Sequence, residues 1–312
     1  MDIISTINSR LNNEIKYRVV FDVDDVMCCG PILLNDSEDE IKDIRKRIEQ
    51  YSGAASIDWK HKDSTYLHFF YPNFYKLILS ILSWNNWSVD FFSSGVKERN
   101  EEVLPIFLKQ IISRYSNDNN ADYHNIINSG RCRIFSRDHM VKGKKDVSGY
   151  EAFGQHKKDL TVISDDIENT ILIDDDRTYV VGNQYPFICT SFASSSSFRN
   201  SLDHGDQEDL PNLLFNPLKS AAYIMGILLS CKEKMNINIT DSLRGALDIV
   251  LLHKGNTLAD HDREYSPWFL RPGTELGELR AYQPPANIEF FNIMQEWIET
   301  GEKYWLDKFI TI

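Results

Sequence analysis

Cysteine is scarce in this 312-residue chain. There are five, Cys28, Cys29, Cys132, Cys189 and Cys231, at irregular spacing. A sparse, odd-numbered set builds no disulfide framework and predicts reduced thiols in a cytosolic setting. No paired CxxC motifs and no HExxH run occur, which excludes the common zinc patterns. No cysteine has an arginine six positions later, so a cysteine-nucleophile phosphatase is excluded. The eight histidines are scattered and no Gly-x-Ser-x-Gly elbow exists, which argues against a Ser-His-Asp hydrolase. Long apolar runs are also missing. The best, 69–82 and 221–229, fall short of the roughly 20 residues a membrane span needs. The first residues, Met1-Asp2-Ile3-Ile4-Ser5, lack the basic start and apolar core of a signal peptide. Positive charge is the minority sign: 34 Lys+Arg against 46 Asp+Glu give a net charge of −12. Long-range repulsion of phosphates then speaks against a nucleic-acid coat, though not against a local basic pocket.

What is present is a globular composition, 42% hydrophobic and 12% aromatic, long enough for about two domains. Tyr17-Arg18-Val19-Val20-Phe21 is a β-branched and aromatic run that ends in Asp22-Val23-Asp24-Asp25, a buried strand with an acidic exit. Further strands are expected at 65–70, 87–92, 131–136, 170–173 and 187–190. Helices are expected at 36–51, 72–84 and 98–115, with loops at 53–64 and 116–121. Alternating strands and helices predict an α/β fold with a mostly parallel sheet. Ligands sit at the carboxyl ends of the strands in such sheets, and both acidic clusters fall there. After residue 201 the patterns become largely helical, at 213–235, 241–252 and 288–304. The expected division is a catalytic domain over 1–210 and a helical domain over 211–312.

Four segments carry chemistry. Side chains alternate along a strand and its exit, so Asp22 and Asp24 can enter one site, one as a nucleophile and one as a general acid/base. Ser93-Ser94-Gly95 puts a hydroxyl and backbone N–H groups at the end of the next strand, where they can hold a phosphate oxygen. Lys158, or its neighbour Lys157, offers an ammonium. Asp174 and Asp175 add carboxylates at another strand end, suited to Mg²⁺.

Together these segments resemble the haloacid dehalogenase (HAD) superfamily of aspartate-nucleophile phosphatases. Asp22-Val23-Asp24-Asp25-Val26 resembles its first motif, and Ser93, Lys158 and Asp174-Asp175 resemble motifs two to four. Details are similar to the small C-terminal-domain-phosphatase branch: Tyr66 and Tyr71-Pro72-Asn73-Phe74 before the Ser93 strand, the 131–136 run before Lys158-Asp159-Leu160, and Asn183 and Phe187 after the fourth motif. The resemblance spans about residues 15–192. It implies a Rossmann-like core with a small insert after the first strand. It further implies that Asp22 forms an aspartyl-phosphate and Asp24 handles the proton, with Ser93, Ser94 and Lys158 holding phosphate. Mg²⁺ would lie among Asp22, Asp24, Asp174 and Asp175, with the register over Asp174–Asp176 open by one residue. Asp25 departs from the usual Gly or Glu of the motif.

The insert after residue 28 is too short for a large cap, so a protein side chain is the expected substrate. Trp59, Tyr66, Phe69, Phe70 and Tyr71 are candidates to stack on a phosphotyrosine ring, or else to pack in the core. Phosphoserine or phosphothreonine of the C-terminal-domain type, a small-molecule ester and a non-catalytic HAD-like binding module are the competing expectations. The Asn-, Ile-, Ser- and Lys-rich composition and the unmatched tail are similar to secreted effectors of intracellular bacteria, which implies work inside a host cytoplasm. For the tail, peripheral membrane or phosphoinositide contact through Arg244, Lys254 and Trp268 competes with a scaffold or a protein-binding role.

Overall fold

A computed structural model of the chain describes residues 3–34, 42, 45–46, 55–71, 74–142, 156–174, 180–181 and 187–188. The whole expected helical domain over 211–312, with Arg244, Lys254 and Trp268, lies outside the described residues. So do Asp175, Asp176, Asn183, Pro72 and Asn73, and all of the expected helix at 36–51 except residues 42, 45 and 46.

The chain is an α/β protein built on a five-stranded parallel sheet. Strand β1 (Tyr17–Phe21) is followed by β2 (Cys28–Leu34), β3 (Ala55–His61), β4 (Ser64–Phe70), β5 (Trp87–Phe92) and β6 (Cys132–Phe135). Two short strands, β7 (Val141–Lys142) and β8 (His156–Lys157), precede β9 (Thr170–Asp174) and β10 (Phe187–Ile188). The central sheet runs β10-β9-β1-β5-β6, so the first strand sits in the middle and every pairing is parallel. Central strands of parallel sheets are covered on both faces and therefore read as continuous apolar runs. This is the composition of β1, β5 and β9. One face, carrying Val19, Phe21, Val89, Phe91, Ile171 and Ile173, belongs to the main core. The other, with Val20, Phe92, Phe135 and Leu172, packs on Met140, Leu160 and Ile163.

Helix Phe74–Ser83 is buried at all ten positions and seats Phe74 edge-on against Phe21, ring centroids 5.4 Å apart. It stops at a cationic cap: Arg10 donates to the Ser83 carbonyl and Arg131 to the Trp84 carbonyl at 3.1 Å. Cations at a helix carboxyl end satisfy the orphan carbonyls and oppose the helix dipole. Helix Lys97–Ser113 buries Val103, Leu104, Phe107, Leu108, Ile111 and Ile112, an apolar face at helical spacing.

The insert after β1 is a small antiparallel sheet in the order β2-β4-β3. Its β2–β4 register shifts between Cys29 and Ile32, where the sequence reads Gly30-Pro31. A proline lacks the N–H a ladder needs, and bulges are where such residues are tolerated. Strand β3 corrects the expected loop at 53–64. Ile57 and Trp59 turn inward while Asp58 and Lys60 turn outward, and His61 pairs with Ser64 across a tight turn in which Lys62 takes φ 55°. The expected linker at 116–121 is likewise corrected. A helix, Asn119–Asn128, starts inside it, with the Asp118 side chain accepting from Ala121 N–H at 3.1 Å as its N-cap.

Candidate active site

The loop after β1 is wound tightly enough to present two carboxylates at once. Asp22 continues the β1–β9 ladder, its N–H donating to the Ile173 carbonyl at 2.8 Å. The Met27 and Cys28 amides then return to the Val23 carbonyl, and Asp25 N–H reaches the Cys28 carbonyl at 2.7 Å. Asp25 itself sits at φ 64°, the left-handed region that glycine takes without steric cost.

At the carboxyl ends of β1 and β9, Lys158 binds two carboxylates together. Its ammonium, 1% exposed, lies 2.9 Å from Asp22 and 2.7 Å from Asp174, which are also buried. Lys158 rather than Lys157 makes these contacts, and the backbone holds it there: Val181 N–H donates to the Lys158 carbonyl at 3.0 Å. Burial pushes the Asp22 carboxyl up to about 7, aided by repulsion from Asp174 and Asp24 and opposed by Lys158. Burial acts to lower the Lys158 ammonium, but Asp174 and Asp22 outweigh it and hold the group above the ordinary lysine range.

A second cluster adjoins the first. Asp24 receives a two-pronged contact from Arg99, Nη1 to Oδ1 and Nη2 to Oδ2, both at 2.8 Å. The Ser93 hydroxyl lies 3.0 Å from Asp24 Oδ2 and 2.7 Å from Arg99 Nη2, and Gly95 N–H donates to it at 2.9 Å. Burial would raise the Asp24 carboxyl, but the Arg99 charge and its hydrogen bonds hold it below the usual range. Ser94 is half-buried beside this cluster, and its carbonyl accepts from Arg137 Nε at 2.7 Å.

Asp22, Asp24, Ser93, Lys158 and Asp174 are therefore gathered at one edge of the sheet, as their strand-end positions predict. Arg99, Asn100 and Arg137 were not found by sequence reasoning. One signal was available for Arg99: a cation in the first turn of a helix opposes the helix dipole and needs a local anion to justify it.

Of the two readings open for the aromatic candidates, packing in the core holds for four of the five. Trp59, Phe69, Phe70 and Tyr71 are buried core residues. Phe70 stacks on Phe107 with centroids 3.9 Å apart, tying the insert to the helix that carries Arg99. Tyr66 alone of the five is half-buried, tilted against Trp59.

Three carboxylates, Asp22, Asp24 and Asp174, gather around two cations, Lys158 and Arg99. Hard carboxylate oxygens are the donor type that Mg²⁺ takes. Among the described residues no group of three His, Cys, Asp or Glu side chains gathers to hold a metal, so Asp22 and Asp174 form a partial set.

No family model and no curated protein matches the chain. Among solved structures it is similar to the RNA polymerase II CTD phosphatase Fcp1 of fission yeast, bound to beryllium fluoride. The identity is 13% and the TM-score 0.35, over 94% of this chain and 73% of that one. A likeness of this degree adds no weight to the side-chain geometry.

Proposed function

We propose that the chain hydrolyses phosphomonoesters through an aspartyl-phosphate on Asp22, by the chemistry of the HAD superfamily. The observation that carries this reading is Lys158, buried and shared between Asp22 and Asp174 at the ends of two adjacent parallel strands, with Asp24 and Ser93 alongside. A buried ammonium beside a nucleophilic carboxylate offsets the charge that a phosphate dianion brings.

An Asp22 oxygen attacks phosphorus and the ester P–O bond breaks; Asp24, ionised under Arg99 in the free site, takes up a proton beside the arriving phosphate dianion and passes it to the departing oxygen. Asp24 then takes a proton from water as its oxygen attacks the acyl phosphate, freeing inorganic phosphate and regenerating Asp22. Lys158 and the Ser94 N–H hold the phosphoryl oxygens, while Ser93 gives its hydroxyl proton to Asp24 beside them. Asp22, Asp174 and the Asp24 carbonyl, with Asp175, would hold Mg²⁺, which supplies charge neutralisation at the phosphoryl group when bound.

The substrate is proposed as a phosphorylated protein side chain, because the described part of the insert is a small three-stranded sheet. The aromatic argument for phosphotyrosine loses its footing, since four of its five residues pack in the core. Phosphoserine, phosphothreonine and small esters stand as competitors. A non-catalytic binding module is disfavoured by the intact side-chain set.

The test is Mg²⁺-dependent phosphate release from phosphotyrosine, phosphoserine and phosphothreonine peptides, with wild type and Asp22→Asn. Release that disappears in the Asp22→Asn variant and with EDTA supports the proposal. Release that survives in the variant overturns it, and a folded wild type silent on peptides and small esters alike favours the binding module.

A further inference from the structure

Arg99 has no place in the motifs described above, yet it is the most heavily engaged side chain at the site. It is 4% exposed, on the first turn of helix Lys97–Ser113. Its Nε and Nη2 donate to Asn100 Oδ1 at 3.0 and 2.7 Å, its Nη2 reaches Ser93 Oγ, and both terminal nitrogens grip Asp24. A guanidinium has five N–H groups. Asp24, Ser93 and Asn100 occupy nearly all of them, so Arg99 has little left to offer a phosphate.

Asn100 is itself anchored, its amide donating to Ser136 Oγ at 3.1 Å. Ser93 Oγ accepts from Arg99 and from Gly95 N–H, which leaves its own proton for Asp24 Oδ2. Both Asp24 oxygens are thus fixed by donors that are fixed in turn. Gly95 makes room for this. A Cβ there would stand 1.9 Å from Arg99 Nη2 and 2.3 Å from Cζ, so the guanidinium crosses the space a side chain would fill.

Resting on the phosphatase reading of this site, we infer that Arg99 is the positioning residue for Asp24, with Gly95 as the slot that admits it. Arg99 sets where the Asp24 carboxyl delivers and collects its proton. It does not touch the phosphoryl group.

The two half-reactions separate this role from a structural one. p-Nitrophenolate leaves without needing a proton, whereas the phenolate of phenyl phosphate needs one, and water attack on the acyl phosphate needs the base in both cases. In Arg99→Gln, p-nitrophenyl phosphate should still give a fast release of about one equivalent of nitrophenol, followed by turnover about 100-fold slower than wild type. Phenyl phosphate should lose the fast release as well. Gly95→Ala keeps the arginine and its charge and displaces only the far end of its side chain. It should show the same pattern with a smaller loss, and it serves if Arg99→Gln does not fold. Slowing of the first release equally for both esters, or wild-type turnover in both variants, overturns the inference. A wild type with no Mg²⁺-dependent release from either ester overturns the reading of the site itself, and this inference with it.

Discussion

At the residue scale the site is a balance of buried charges. Lys158 is its keystone: removing one partner of a buried ion pair leaves the others uncompensated, at a cost of about 3–5 kcal/mol. Lys158→Met should therefore lower stability by that order in urea denaturation, where a loss under about 1 kcal/mol (the worth of an exposed pair) would show that the ammonium is solvated. Asp25 is the opposite case. It holds φ 64° and has a buried Oδ1 without a hydrogen-bond partner. Asp25→Gly removes both penalties at the price of some unfolded-chain entropy, and should raise stability by about 1 kcal/mol, read as a higher melting temperature. The carboxylates, Ser93 and Lys158 were legible in the sequence because each ends an apolar strand run or matches a motif. Arg99 was not, because a cation at a helix start signals a nearby anion without saying that residues 24, 93 and 99 meet.

At the element scale, strands β1, β5 and β9 could be read because burial on both faces makes them continuous apolar runs with polar ends. Asp90, inside β5, is the exception, and its burial is matched by Arg18 and Arg133 at 3.2 and 2.6 Å. Strand β3 was missed because only Ile57 and Trp59 mark its inner face amid polar neighbours. The Asn119–Asn128 helix was missed because four asparagines, at 119, 120, 125 and 128, imitate a linker. Within the insert, β4 carries His68, which is fully buried. Burial, with the nearby Arg99 charge, pushes its imidazole down to about 4, against the pull of Asp24 and Asp58. The folded state then refuses a proton that the unfolded state accepts. The His68 contribution to stability should be complete above about pH 6.5, shrink by on the order of 3 kcal/mol as pH drops toward 4, and level off below. The Asp22 and Asp25 carboxyls, pushed up to about 7 and about 6, act in the opposite sense, so the readout is the difference from His68→Phe in urea denaturation: wild type should lose stability relative to the variant as pH falls, and parallel pH profiles would contradict this assignment.

For the whole molecule, the strand order places β1 at the centre with β9 and β5 on either side, so residues from chain positions 22, 93, 158 and 174 converge at one edge. The long connections between those strands are what hide the site from any local window of sequence. No helix among the described residues is long and apolar enough to cross a membrane. The central claim is that Asp22 carries the phosphoryl group. The most direct test is to quench the Mg²⁺-loaded protein during turnover of p-nitrophenyl phosphate, reduce any acyl phosphate with borohydride to the alcohol, and map the product by peptide mass. The account predicts reduction at residue 22 and none in Asp22→Asn; turnover with no modified residue, or with reduction at a different carboxylate, would contradict it.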